Sequence, residues 1–241
     1  MLVTLERILD LRTLQLAEQQ DQALEVLRRL REDESVTLVF DHAPRATYDR
    51  LSIERPELFA WTPLENGPLV WRVRVTGRPP RCLETCAESL LERDGAELRL
   101  IAAFLRDDLD GACRAVPPDP GPLRARFSSL QALAARFLVL QEDHFLPAME
   151  LVDPALEAGP GRILRLQLDE LPGLLTRVET LLATEPATTH ALDTASETLR
   201  ELDLLIDDLT RRERKSYFPV AREQFPREEQ ERLVQHLKLR C

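Results

Sequence analysis

Histidine, cysteine and carboxylate side chains are the groups in this 241-residue chain best suited to chemistry, and they are scattered. The four histidines are His42, His144, His190 and His236, and the four cysteines are Cys82, Cys86, Cys113 and Cys241. His42 follows Asp41 at the end of the apolar run S-V-T-L-V-F at 35–40. Asp41 and His42 can form a small polar site at the C-terminal end of a strand. They can equally be a cap on the next helix and a turn residue. No third partner is in view for a catalytic arrangement. Cys82 and Cys86 stand four residues apart, on adjacent turns of a helix. Two such thiols can sense oxidants or hold a soft metal. They can also be small apolar fillers at a domain junction. No second close cysteine pair follows, so the spacing does not match a zinc module. His144 lies near Glu142, and Asp208 and Glu213 are further carboxylates. A metal site needs several donors converging on one point. Glu142, His144 and Glu213 are therefore the candidate set, against the reading of a helix-end histidine with solvated carboxylates.

Composition narrows the function classes. Lys and Arg number 32 and Asp and Glu 42, a formal net charge of -10. That balance argues against nucleic acid as the main partner, because phosphate binding needs a basic surface. The hydrophobic fraction of 44% excludes wholesale disorder. No stretch approaches the ~20 apolar residues of a membrane span. The first residues, M-L-V-T-L-E-R, place acid and base where a signal peptide carries its apolar core. The expectation is a cytoplasmic protein with its cysteines as thiols.

The positioning elements fall into two halves that meet near Pro79-Pro80. Residues 8–14 read as a strand. Residues 17–30 read as a helix with Ala23, Val26, Leu27 and Leu30 on one face. Residues 35–40 read as a strand. A helix is expected from Pro44 to about residue 52. A strand follows at 58–63, then a turn at 65–68, and the alternating run at 70–75 is a strand with one wet face. The sum is an α+β β-α-β-α-β-β sandwich over residues 1–78, with a linker at 79–82.

This order resembles the TusA/SirA-like domain of unknown function that often precedes hemerythrin domains in bacterial proteins. The words that carry the resemblance are I-L-D-L-R at 8–12, L-V-F-D-H-A-P at 38–44, F-A-W at 59–61 and E-N-G-P-L-V-W-R-V-R-V at 65–75. Sulfur-carrier relatives of that fold have a Cys-Pro pair at the start of the first helix. Here the segment is Leu14-Gln15-Leu16-Ala17, without cysteine.

The second half reads as an all-α antiparallel four-helix bundle over 83–225, with a tail helix in 226–241. Helix A is expected at 83–112, with Leu83, Ala87, Leu90, Leu98, Ile101, Leu105 and Leu109 inward. Helix B is expected at 123–151, with Phe127, Leu130, Ala134, Phe137, Gln141 and His144 or Phe145 inward. A turn at 158–161 leads to helix C at 162–184, with Leu164, Leu168, Leu171, Leu175, Val178 and Leu182 inward. Helix D is expected at 189–218, with Ala195, Leu199, Leu202, Leu209 and Glu213 inward. Pro147 and Pro172 interrupt these patterns, and Pro172 predicts a kink.

Helix B ends F-L-V-L-Q-E-D-H-F-L-P (137–147) and helix D ends L-T-R-R-E-R-K-S-Y-F-P (209–219). Both are similar to the H-x-x-x-E-E-x-x-L-F-P words of the bacterial hemerythrin-like family. Helix C opens with Gly159-Pro160, as in that family, and helix A carries Asp94-Gly95 where the family has Asp-His. The resemblance implies a non-heme di-iron site, and its ligand positions fall on Gly95, Phe137, Gln141, Leu168, Leu209 and Glu213. Every histidine is replaced, and of the carboxylates only Glu213 remains. Phe137, Leu168 and Leu209 lie on inward stripes and offer no lone pairs. Filling a former metal site with such side chains exchanges coordination for apolar burial, at about 1.5–3 kcal/mol each. A buried Glu213 must find a donor, and Gln141 is the obvious one, with Tyr217 as a third candidate member.

Three functions compete. The first is a metal-free binding or scaffold protein for a protein partner or a small apolar ligand. The second is an iron protein handling oxygen, nitric oxide or iron through Glu142, His144 and Glu213. The third is a thiol- or sulfur-handling protein using Cys82 and Cys86. The first is favoured because it alone makes use of the replacements.

Overall fold

The computed structural model describes residues 7–55, 58–67, 69–78, 87–113, 121–184, 188–224 and 227–238. The chain divides into two units, Met1–Glu84 and Thr85–Cys241.

The first unit holds β1 (Arg7–Asp10), α1 (Leu16–Arg28), β2 (Ser35–Phe40), α2 (Arg45–Glu54), β3 (Phe59–Asn66) and β4 (Trp71–Gly77). They form one mixed sheet in the order β1-β2-β4-β3. β1 runs parallel to β2, and the other pairs are antiparallel. Period-two alternation puts Val36, Leu38 and Phe40 of β2 on one face, opposite Val75, Val73 and Trp71 of β4. All six are buried. Ala23, Leu24 and Leu27 of α1 and Leu51 of α2 are equally buried, which places both helices on that face. The opposite face carries Ile8, Asp10, Arg12, Thr37, Leu64, Arg72 and Arg74 around a shallow depression of about 340 Å³.

Several boundaries differ from expectation for local reasons. β1 stops at Asp10 because the Asp10 carboxylate accepts from the Arg12 backbone N–H and guanidinium, which turns the chain. The buried face of α1 includes Leu24, while Val26 and Leu30 are half-buried. Glu65 and Asn66, expected in a turn, extend β3 opposite Arg72 and Trp71. The chain reverses after them at Gly67, whose φ of 76° suits glycine and whose N–H donates to Val70 O at 2.9 Å.

The second unit holds α3 (Ala87–Cys113), α4 (Gly121–Val139), a π-helical turn (Leu140–Phe145), α5 (Leu146–Val152), a second π-helical turn (Glu157–Gly161), α6 (Arg162–Ala183), α7 (Thr189–Ser216), α8 (Phe218–Glu223) and α9 (Arg227–Lys238). α3 packs against α7 and α4, and α6 packs against α7 and α4. α9 packs against α3 and the first π-turn, and its Leu233 and Val234 join the core. The expected helix B is thus two helices joined by a π-turn. The Leu146 N–H reaches back five residues to Gln141 O, just before Pro147, which has no N–H to give. The expected turn at 158–161 is itself π-helical and runs straight into α6. α6 carries Pro172 inside it as one helical segment. Of the inward sets, Ile101 is half-buried and Phe145, not His144, is the fully buried member of its pair. Leu83 lies outside the described residues.

Candidate functional site

Asp41 and His42 stand where the chain leaves the C-terminal end of β2. Asp41 does not cap α2, whose N-cap is Pro44 without a side-chain hydrogen bond. Instead Asp41 Oδ1 lies 2.7 Å from His42 Nδ1 and accepts from Gln19 Nε2 at 3.3 Å. The His42 contact, joined by that of Gln19, holds the Asp41 carboxyl below its usual range against the effect of burial. Gln19, on α1, is almost fully buried and also donates to Leu14 O at 3.0 Å. The His42 ring stacks edge-on against Phe40 at 5.9 Å. This arrangement orients one imidazole at the surface, and among the described residues no group of three His, Cys, Asp or Glu side chains forms there.

In the second unit, the six residues at the positions implied by the resemblance, Gly95, Phe137, Gln141, Leu168, Leu209 and Glu213, are all buried. Phe137 and Leu209 are fully buried and Leu168 is 1% exposed. Gly95 faces them from α3: a Cβ there would stand 3.0 Å from Thr210 Oγ1, 3.8 Å from Ile206 Cγ2 and 3.9 Å from Phe137 Cε2. The neighbours of two of these positions are linked, since Arg136 donates to the fully buried Asp94 at 3.2 Å. Gln141 and Glu213 are also buried, and Gln141 Nε2 donates to Glu213 Oε1. Burial pushes the Glu213 carboxyl up to about 8, although the Gln141 amide pulls it down.

Tyr217 follows one turn after Glu213. Its side chain is buried, with its ring 5.9 Å from that of Phe145. It does not hydrogen-bond to Glu213; its hydroxyl has no partner among the described residues. Burial and the nearby Glu150 carboxylate hold that hydroxyl above its ordinary range. Glu150, whose other oxygen accepts from Arg165, and Gly161 complete this cluster. Sequence reading missed both. The only signal was the Gly159-Pro160-Gly161 run, which resembled an ordinary turn.

These side chains do not fit a di-iron group. None of the six positions offers an imidazole, and Glu213 is the only carboxylate among them. Glu142 is exposed, with burial and then Asp169 raising its carboxyl, whereas Glu213 is fully buried. Asp208 is engaged by Gln167 Nε2 at 2.7 Å and Arg212 Nε at 2.9 Å. Among the described residues no three His, Cys, Asp or Glu side chains gather where they could hold a metal ion. Cys82 and Cys86 lie outside the described residues. Separately, a groove of about 400 Å³ is lined by Arg124, Phe127 and Gln131 of α4 and by Glu179 and Leu182 of α6.

Residues 8–77 match a family model described as an uncharacterized conserved protein, DUF2249. The match starts in β1 and ends at the last residue of β4, so it covers the α/β unit. No curated protein and no solved structure matches the chain.

Proposed function

We propose that this chain is a metal-free relative of the hemerythrin-like proteins, acting as a binding or scaffold protein. On this reading a TusA-like α/β domain precedes an antiparallel four-helix bundle made of α3, the α4–α5 segment, α6 and α7. The ring of packing, α3 on α4, α4 on α6, α6 on α7 and α7 on α3, supports the bundle. One observation carries the functional reading. Where a di-iron bundle places imidazoles, this interior holds Gly95, Phe137, Leu168 and Leu209, and the two remaining polar residues bond to each other. Iron coordination contributes folding free energy in a metalloprotein; here apolar packing supplies it. The occupant is a protein partner or a small apolar ligand, for which the α4–α6 groove is the candidate seat.

Elemental analysis tests the reading, on the protein as purified and after anaerobic incubation with ferrous iron. The expected result is far less than one iron per chain in both samples. Stoichiometric iron in either would overturn the proposal and make the protein an iron-handling one.

A further inference from the structure

The interior of the second unit keeps a group of polar atoms that apolar packing does not require. Gln141 Oε1, Glu213 Oε2, Tyr217 Oη and Glu150 Oε1 are buried, and none has a hydrogen-bond partner among the described residues. Glu213 and Tyr217 are fully buried and Gln141 is 1% exposed. Buried polar atoms are normally paired, so four unpaired ones in one neighbourhood call for an explanation. Tyr217 and Glu150 both approach Gly161, Glu213 lies near enough to Tyr217 to act on its hydroxyl, and Gln141 is bonded to Glu213. Gln141 belongs to the first π-helical turn and Gly161 closes the second. Single π-turns are frequent at functional sites.

Gly161 sets the spacing. Tyr217 Oη, Glu150 Oε1 and Leu156 O each lie 2.7 Å from the position a Cβ on Gly161 would take. Tyr217 Oη and Glu150 Oε1 are therefore no further apart than twice that distance, yet they share no hydrogen bond. Two such oxygens can share one small bridging molecule.

We propose that Tyr217 and Glu150 form an internal binding site for a neutral, water-sized hydrogen-bonding molecule, with water as the resident ligand bridging Tyr217 Oη and Glu150 Oε1. The inference rests on the metal-free reading above. Tyr217 has a proton to donate, while Glu150 Oε1 has lone pairs to fill, and water answers both needs. An apolar occupant would leave both atoms unpaired. A cation would have to share Glu150 with Arg165, which already holds the other carboxylate oxygen. The Glu150 and Arg165 side chains are 10% and 41% exposed, so they mark the route to solvent.

The test is a crystal structure of the full chain at a resolution that orders internal water, with anomalous data at the iron edge. A peak at hydrogen-bonding distance from Tyr217 Oη and Glu150 Oε1, without anomalous signal, is the expected result. Direct bonding of Tyr217 to Glu150 or Glu213 with no intervening peak would overturn the inference and leave the metal-free reading standing. A peak with iron's anomalous signal would overturn both. In solution, water-oxygen magnetic relaxation should count one fewer long-lived internal water in Tyr217→Phe than in the unmodified chain. Equal counts would overturn the inference.

Discussion

Gln141 donates its side-chain amide to Glu213 across the interior of the helical unit, from the π-turn after α4 to the last turns of α7. The contact joins residues 72 apart in sequence, and both are buried. It satisfies one oxygen of a carboxyl that, among the described residues, meets no cationic side chain within hydrogen-bonding reach. A buried carboxyl in that state favours its neutral form.

Glu213 should therefore make the second unit lose stability as pH rises. Its folded-state value of about 8 stands above the ordinary 4.5. Between those values the folded chain keeps a proton that the unfolded chain has released. Raising the pH through this window then favours unfolding, by up to about 1.4 kcal/mol per pH unit. Below it both states are protonated, and above it both are ionised and the loss is complete. Urea midpoints measured from pH 5 to pH 9 should fall for the unmodified chain and stay flatter for Glu213→Gln. The same slope in both proteins would assign the titration to another group.

Gly161→Ala should destabilise the second unit. Its new methyl would enter a space bounded at 2.7 Å by a tyrosine hydroxyl, a carboxylate oxygen and the Leu156 carbonyl. The side chains can swing, but the carbonyl sits on the residue that caps the start of the π-turn and moves only with the backbone. Overpacking of this kind costs about 1–3 kcal/mol. Gly111→Ala is the control, because nothing lies within 4 Å of its Cβ position. Equal Tm values for the two variants would show that the Gly161 site yields easily.

Element order and inward faces are legible from periodicity, because hydrophobic spacing reports directly which side of a helix is dry. Phe137, Leu168, Leu209 and Glu213 all lie inside as their spacing requires. The π-turns are not legible. One extra residue in the hydrogen-bond register shifts the apolar spacing too little to stand out. That is also why Glu150 and Gly161 went unseen, since their proximity to Tyr217 depends on those turns. Asp41 shows a second blind spot: its partner Gln19 is 22 residues away, and local capping rules pointed to α2 instead.

The Asp41–His42 contact predicts a local titration change with no metal or substrate involved. The hydrogen bond from His42 is the largest cause of the lowered Asp41 carboxyl, and Gln19 adds a smaller pull. His42→Ala should bring the Asp41 titration, followed by carboxyl-carbon NMR, back up toward the ordinary range. Gln19→Leu should move it the same way by less. An unchanged Asp41 titration in His42→Ala would show that the pair does not persist in solution.

Phe137 and Leu209 decide whether the interior is a packed core or a metal site without its metal. Both are fully buried, and Phe137 lies 3.9 Å from the position a Cβ on Gly95 would take, in ordinary packing contact with α3. Truncating a side chain in a packed core loses transfer free energy and leaves a cavity, so the cost exceeds the transfer term alone. Phe137→Ala should lose about 3–5 kcal/mol and Leu209→Ala about 2–5 kcal/mol in urea unfolding. On the metal-free reading, a chelator should leave the unmodified chain's midpoint unchanged. Losses below about 1 kcal/mol would point to a loose, adaptable interior, since the cost of truncation depends on how well a site collapses. A midpoint that falls with chelator would mean that a metal, not Phe137 and Leu209, stabilises this unit.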